Sequence, residues 1–193
     1  MHPESLSQLH SIRFRKPGLR SKSVLNPEQE KKFSRFLINA LGPDVFVLST
    51  GLGLDVYYTH KQDCSEFIIK NLWLFQDSEE QPEKAIISEI NEGRDVLNYF
   101  GTVVNTLVDY PLLFVSCCKK FMKRYNQTQH KTRLHILLYS SFEFHLQDLI
   151  TDDKIPHLAK IKKMLNEVNA EGSDKIGDNH KWIIQYKKSQ NLN

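Results

Sequence analysis

The stretch Leu112-Leu113-Phe114-Val115-Ser116-Cys117-Cys118-Lys119-Lys120-Phe121-Met122-Lys123-Arg124-Tyr125, with Leu134-His135-Ile136-Leu137-Leu138-Tyr139 soon after it, decides how this chain is read. The two short apolar runs have the length of buried strands. Between them, Cys118, Phe121, Met122 and Tyr125 recur at helical spacing, with Lys119, Lys120, Lys123 and Arg124 projecting away. A strand, a crossing helix and a second strand make a parallel βαβ unit. The reading therefore predicts an α/β (or α+β) domain, a small mixed β-sheet of about five strands flanked by helices.

Upstream, Val45-Phe46-Val47-Leu48 and Leu54-Asp55-Val56-Tyr57-Tyr58 are β-rich runs joined by Ser49-Thr50-Gly51-Leu52-Gly53, the pattern of an antiparallel hairpin. Near the end, Trp182, Ile184 and Tyr186 alternate as a half-buried strand does. Strands are thus expected near 45–48, 54–58, 112–116, 134–139 and 182–186.

Helix signals fill the intervals. Asn26-Pro27-Glu28-Gln29 combines a cap, a proline at the first helical position and a capping-box partner, and Gly42-Pro43 stops that helix. Asp63 and Glu66 open an apolar segment that ends at Phe75. From Gln81-Pro82 a helical stripe runs through Ile86, Ile90, Leu97, Phe100, Val104 and Leu107. Gly93 and Gly101 interrupt it, and Asp109-Tyr110-Pro111 ends it. Glu143 to Ile150 and Pro156 to Val168 read as two further helices.

The 193 residues, 40% hydrophobic and 25% charged, suit one globular domain of ordinary size, expected over residues 26–193. Residues 1–25 hold Arg13, Arg15, Lys16, Arg20 and Lys22 against Glu4 and read as a flexible basic arm. No apolar run approaches the length of a membrane span, and the N-terminus lacks the layout of a secretory signal. Three cysteines, two of them adjacent, make no disulfide framework. A nuclear or cytoplasmic location is the expectation.

The candidate chemistry is sparse. Cys118 and Arg124 have the C-x5-R spacing of a cysteine phosphatase loop, but such a loop needs small residues to turn its amides onto an oxyanion, and Lys119 to Lys123 look helical. Gly51-Leu52-Gly53 lacks the third glycine and the helix start of a dinucleotide fingerprint, and no Walker-type Gly-Lys-Ser/Thr occurs. Glu143, His145 and Asp148 could gather as an acid-base or metal cluster, yet a third ligand and a second shell are not evident. No cofactor or metal is expected.

The charge pattern carries more weight. The arm residues Arg13, Arg15, Lys16, Arg20 and Lys22, with Lys119, Lys120, Lys123 and Arg124, are the expected contacts to DNA or RNA phosphates. The function expected from sequence is a non-catalytic subunit or adaptor, among other protein subunits, of a nucleic-acid-associated complex, nuclear by preference. Two other classes compete with it. One is a small hydrolase or transferase built on Cys118 or on Glu143, His145 and Asp148. The other is a protein-only trafficking or scaffold adaptor.

Overall fold

Four antiparallel strands make one sheet: β1 (Leu9–Arg15), β2 (Val45–Thr50), β3 (Gly53–Thr59) and β4 (Ile87–Glu92), in the order β2-β3-β1-β4. The computed structural model describes residues 6–16, 23–76, 87–152 and 154–172. Helices α1 (Pro27–Leu41), α2 (Ser65–Leu72), α3 (Arg94–Val108), α4 (Pro111–Gln127), α5 (Arg133–Thr151) and α6 (Leu158–Gly172) complete the described chain, with a short 3-10 turn at Trp73–Phe75. The fold is a mixed α/β one, as expected, with four strands among the described residues. The strand expected at 182–186 lies outside the described residues, as do Arg20, Lys22 and the helix start expected at Gln81-Pro82.

The hairpin from Val45 to Thr59 forms as its sequence demands. Val47 pairs with Val56, and Gly53, at φ 156°, closes the turn where a side chain would strike the Phe14 carbonyl. Asn26 caps α1. Its side chain accepts from the backbone N–H of Glu28 and Gln29 at 3.0 and 2.9 Å, and Gln29 Oε1 accepts from the Asn26 N–H at 2.8 Å.

Both faces of the sheet are covered. On one side, Ile12, Phe14, Val47, Val56 and Tyr58 pack against Phe33 and Leu37 of α1 and Ile68 of α2. On the other, Leu9, Phe46, Leu48 and Tyr57 meet Phe100 of α3, Phe121 of α4 and Phe142 of α5. Neighbouring residues along β2 and β3 therefore all enter a core, which is why those strands read as unbroken apolar runs. Each such Val, Leu or Phe contributes about 1.5–3 kcal/mol by leaving water.

The expected strands at 112–116 and 134–139 are helices. In α4 the buried set is Phe114, Val115, Cys117, Cys118, Phe121 and Met122, a 3.6-residue stripe from which Leu112 and Leu113 are excluded. In α5 the stripe Leu134, Leu138, Phe142, Leu146 and Leu149 continues for about four turns, far beyond any strand. Both runs are rich in Leu and poor in β-branched residues, which favours helix. The parallel βαβ unit lies elsewhere. Because β1 and β2 are each antiparallel to β3, they are parallel to one another, and α1 makes the crossover between them.

Two further readings are overturned. Residues 9–15 are not a flexible arm but the strand β1, paired on both sides, and Val24 and Leu25 are buried in the core. At Ile90 the expected helical stripe gives way to β4, while Ile86 lies outside the described residues. Gly93, at φ 60°, turns the chain out of β4 into α3 and donates its N–H to Leu9 O at 2.7 Å.

Candidate functional site

The structure separates the basic residues expected to share one phosphate-binding face. Arg13 lies on the inner face of β1 beneath α3, with Nε and a terminal nitrogen at 2.8 and 2.9 Å from the two Asp55 oxygens. Tyr99 of α3 stacks its ring 5.0 Å from the Arg13 guanidinium. Burial pushes the Asp55 carboxyl up, while Arg13's hydrogen bonds and charge draw it back. The same pairing outweighs desolvation at Arg13 and holds its guanidinium above the ordinary value. Arg15 meets Glu89 of β4 at 3.0 Å, and Lys16 follows it at the end of β1.

Two of the four cations on α4 are engaged with the protein itself. Arg124 donates from Nε to Val47 O at 3.2 Å and from a terminal nitrogen to Glu30 Oε1 at 3.1 Å. Lys120 Nζ lies 3.4 Å from Ser49 O. Together these side chains cover the outer edge of β2, the edge that would otherwise invite strand pairing. Lys119 and Lys123 are exposed, with no carboxylate in ion-pair reach among the described residues. Since α4 lies along β2, and β3 stands between β2 and β1, the cations of β1 and α4 do not form one continuous surface.

The reactive-group candidates are dismantled by the fold. Cys118 sits inside α4, fully buried, and burial drives its thiol well above the ordinary range. The adjacent Cys117 is pushed up to about 12 by burial and by the charge of Asp55. Residues 118–124 are helical, so they form no oxyanion loop, and Arg124 points to Val47 and Glu30. Glu143 and His145 leave α5 in different directions, as residues two apart must. His145 turns inward against Gly101 of α3, where burial lowers its pKa against the opposing charge of Asp148, whose own side chain is exposed. Among the described residues, no three His, Cys, Asp or Glu side chains converge as a metal site would require.

What the structure brings together instead are two surfaces at opposite ends of α4. At its start, Tyr110, Leu112 and Leu113 are 54, 81 and 41% exposed. Leu113 lies against Gly51 in the β2–β3 turn, where a Cβ would come 2.8 Å from its methyls. Near the other end a groove of about 570 Å³ opens between α1, the start of β2 and the α4–α5 connection. Lys31, Arg35 and Ile38 form its α1 wall, and Arg124, His130 and His135 lie opposite. No Asp or Glu lines it. His135 is held neutral, its pKa lowered to about 4 by burial. The contacts Leu113–Gly51 and Arg124–Val47 show that α4 runs antiparallel to β2, so the two surfaces stand roughly 15–20 Å apart at 1.5 Å per helical residue.

Sequence reasoning missed both surfaces. From sequence Leu112 and Leu113 read as part of a buried strand, and the one signal against it is their place off the stripe that begins at Phe114. Lys31 and Arg35 are four residues apart on a helix, an ordinary solvated pattern until β2 and α4 are seen beside them.

No family model matches the chain, and comparisons with curated proteins and with solved structures returned no match.

Proposed function

We propose that the protein is a non-catalytic, protein-binding subunit or adaptor. The carrying observation is the apolar corner of Tyr110, Leu112 and Leu113. A folded domain rarely leaves large apolar side chains clustered in water, and such patches mark contact surfaces for other proteins. The partner is a protein that covers this corner and excludes water from Leu112. The burial of Cys117 and Cys118 supports a non-catalytic role, because neither thiol supplies a thiolate at neutral pH. No described helix is long and apolar enough to cross a membrane.

The test is affinity capture of the protein and of a Leu112→Glu variant, each with and without nuclease. A stoichiometric protein partner that survives nuclease and is lost with Leu112→Glu is the expected result. A partner that ignores the substitution overturns the proposal. So does a concentration-dependent dimer, seen by sedimentation, that Leu112→Glu abolishes, because the corner would then join two copies of this chain.

A second reading keeps nucleic acid as the partner and a nuclear complex as the setting. The exposed Lys119 and Lys123, with Lys120 beside them, favour it. It rests on these three residues of α4 and no longer on Arg13. Charge reversal at Lys119 and Lys123 should then weaken DNA or RNA binding and flatten its salt dependence. Unchanged affinity removes this reading.

A further inference from the structure

We infer that the groove between α1 and the start of β2 receives an extended acidic segment of a partner protein, with two carboxylates at alternate positions and an apolar residue just beyond them. The inference rests on the protein-binding reading and adds a second contact surface, with its own chemistry, at the other end of α4.

The charge of the groove selects the sign of its occupant. Lys31 and Arg35 are exposed on one face of α1, and neither has a carboxylate in ion-pair reach among the described residues. Their neighbour Lys32, on another face of the same helix, is by contrast matched by Glu28 at 2.7 Å. Across the groove, Arg124 is fixed by Val47 O and Glu30 and is three-quarters buried, so its charge is pinned in place and partly compensated. The Asp44 carboxylate, whose charge reaches His135 at the floor, counts against an acidic occupant, but with Lys31 and Arg35 at the mouth and Arg124 offset by Glu30 the balance of the groove stays positive. His135, although it lines the floor, adds none near neutral pH.

Spacing selects the form of the occupant. Residues four apart on a helix are separated by about 6 Å along its axis. In an extended peptide, side chains on one face recur every two residues, about 6.6 Å apart. Carboxylates at alternate positions of an extended segment thus match Lys31 and Arg35 in register. Ile38 continues the wall about 4.5 Å further along α1. It is 39% exposed, and with Pro43 it gives the groove an apolar end. A polyphosphate chain has nothing to place there, whereas a peptide has an apolar side chain. The volume of about 570 Å³ is within the roughly 300–1,000 Å³ of sites that enclose a small ligand or a few residues.

The test uses a fluorescein-labelled peptide Ser-Glu-Ser-Glu-Ser-Leu, which keeps both Glu and the Leu on one face, the same peptide with Gln for both Glu, and a single-stranded oligonucleotide as competitor, read by fluorescence anisotropy on the full chain. The acidic peptide should bind, and the Gln peptide should bind at least about tenfold more weakly. The double variant Lys31→Gln/Arg35→Gln should lose about the same factor. Both positions are exposed, so an unchanged circular dichroism spectrum and melting temperature are expected for it. An Ile38→Ser variant should weaken the Leu-containing peptide and leave a version with Ser in place of Leu unaffected. Equal binding of the Glu and Gln peptides, or insensitivity to Lys31→Gln/Arg35→Gln, overturns the inference. Displacement of the peptide by the oligonucleotide at lower concentration than by unlabelled peptide also overturns it, in favour of a phosphate ligand. If the peptide fails while a partner is still captured through Leu112, the groove assignment alone falls. If capture fails too, the protein-binding reading falls with it.

Discussion

Arg13 and Asp55 face each other across β1 and β3 and are joined by two hydrogen bonds, one from each of two guanidinium nitrogens to each carboxylate oxygen, at 2.8 and 2.9 Å. Arg13 is 7% exposed and Asp55 1%. Removing one partner strands the other charge in the core. Asp55→Ala or Arg13→Ala should therefore cost about 3–5 kcal/mol, whereas Arg13→Met with Asp55→Leu should cost markedly less. Urea denaturation of the two single variants and the double variant checks the difference. A double variant as unstable as the sum of the singles would show that the pair adds nothing specific.

His135 makes stability depend on pH. It is buried, with Nδ1 2.8 Å from Thr132 Oγ1 and its ring in a T-shaped contact with Phe46, and burial lowers its pKa from 6.5 to about 4. The charge of Asp44 opposes that shift and Lys131 adds to it. Between those two pH values the unfolded chain binds the proton that the folded chain refuses, so this contribution falls as pH drops from about 6.5 to 4. The full loss is on the order of 3 kcal/mol. His145, also lowered by burial, acts in the same direction. Denaturation midpoints at neutral pH and near pH 5 should converge in His135→Gln relative to the parent. An unchanged pH slope in that variant would refute the assignment.

Gly101 and His145 hold α3 against α5. A Cβ at position 101 would overlap the His145 imidazole. Gly101→Ala alone should destabilise by about 1–3 kcal/mol through overpacking. In a His145→Ala background the same substitution should stabilise by up to about 1 kcal/mol, because alanine is the better helix former and the clash is gone. The reversal of sign in thermal melts is the diagnostic. The same sign in both backgrounds would mean that the ring moves aside freely.

The three cysteines should separate by reactivity. Cys64 is half-buried, with Sγ 3.3 Å from His60 Nδ1 and its thiol raised by burial and by Asp63, so it should label slowly with a maleimide. Cys117 and Cys118 should not label until the chain unfolds. One thiol per native chain and three in denaturant is the expected count. Rapid labelling of Cys118 in the native protein would restore the nucleophile that the fold denies it.

Local chemistry alone determined the parts of this fold that satisfy themselves nearby. The cap at Asn26 closes within three residues, and the Val45–Thr59 hairpin turns on Gly53, so both are legible in the sequence. The helix stripe that starts at Phe114 is legible only over its whole length, because the four apolar residues at its head read equally well as a strand. Tertiary structure decided the rest. A short apolar run serves equally as a strand buried on both faces or as part of a helix, and only the partner across the core distinguishes them. β1 was the extreme case. Its Arg13 reads as a solvated cation until Asp55, forty-two positions away, neutralises it inside the protein. The groove and the apolar corner followed for the same reason. Each is made by side chains that are unremarkable in sequence and meaningful only where α1, β2 and α4 pack together, because a surface is defined by what folding leaves uncovered.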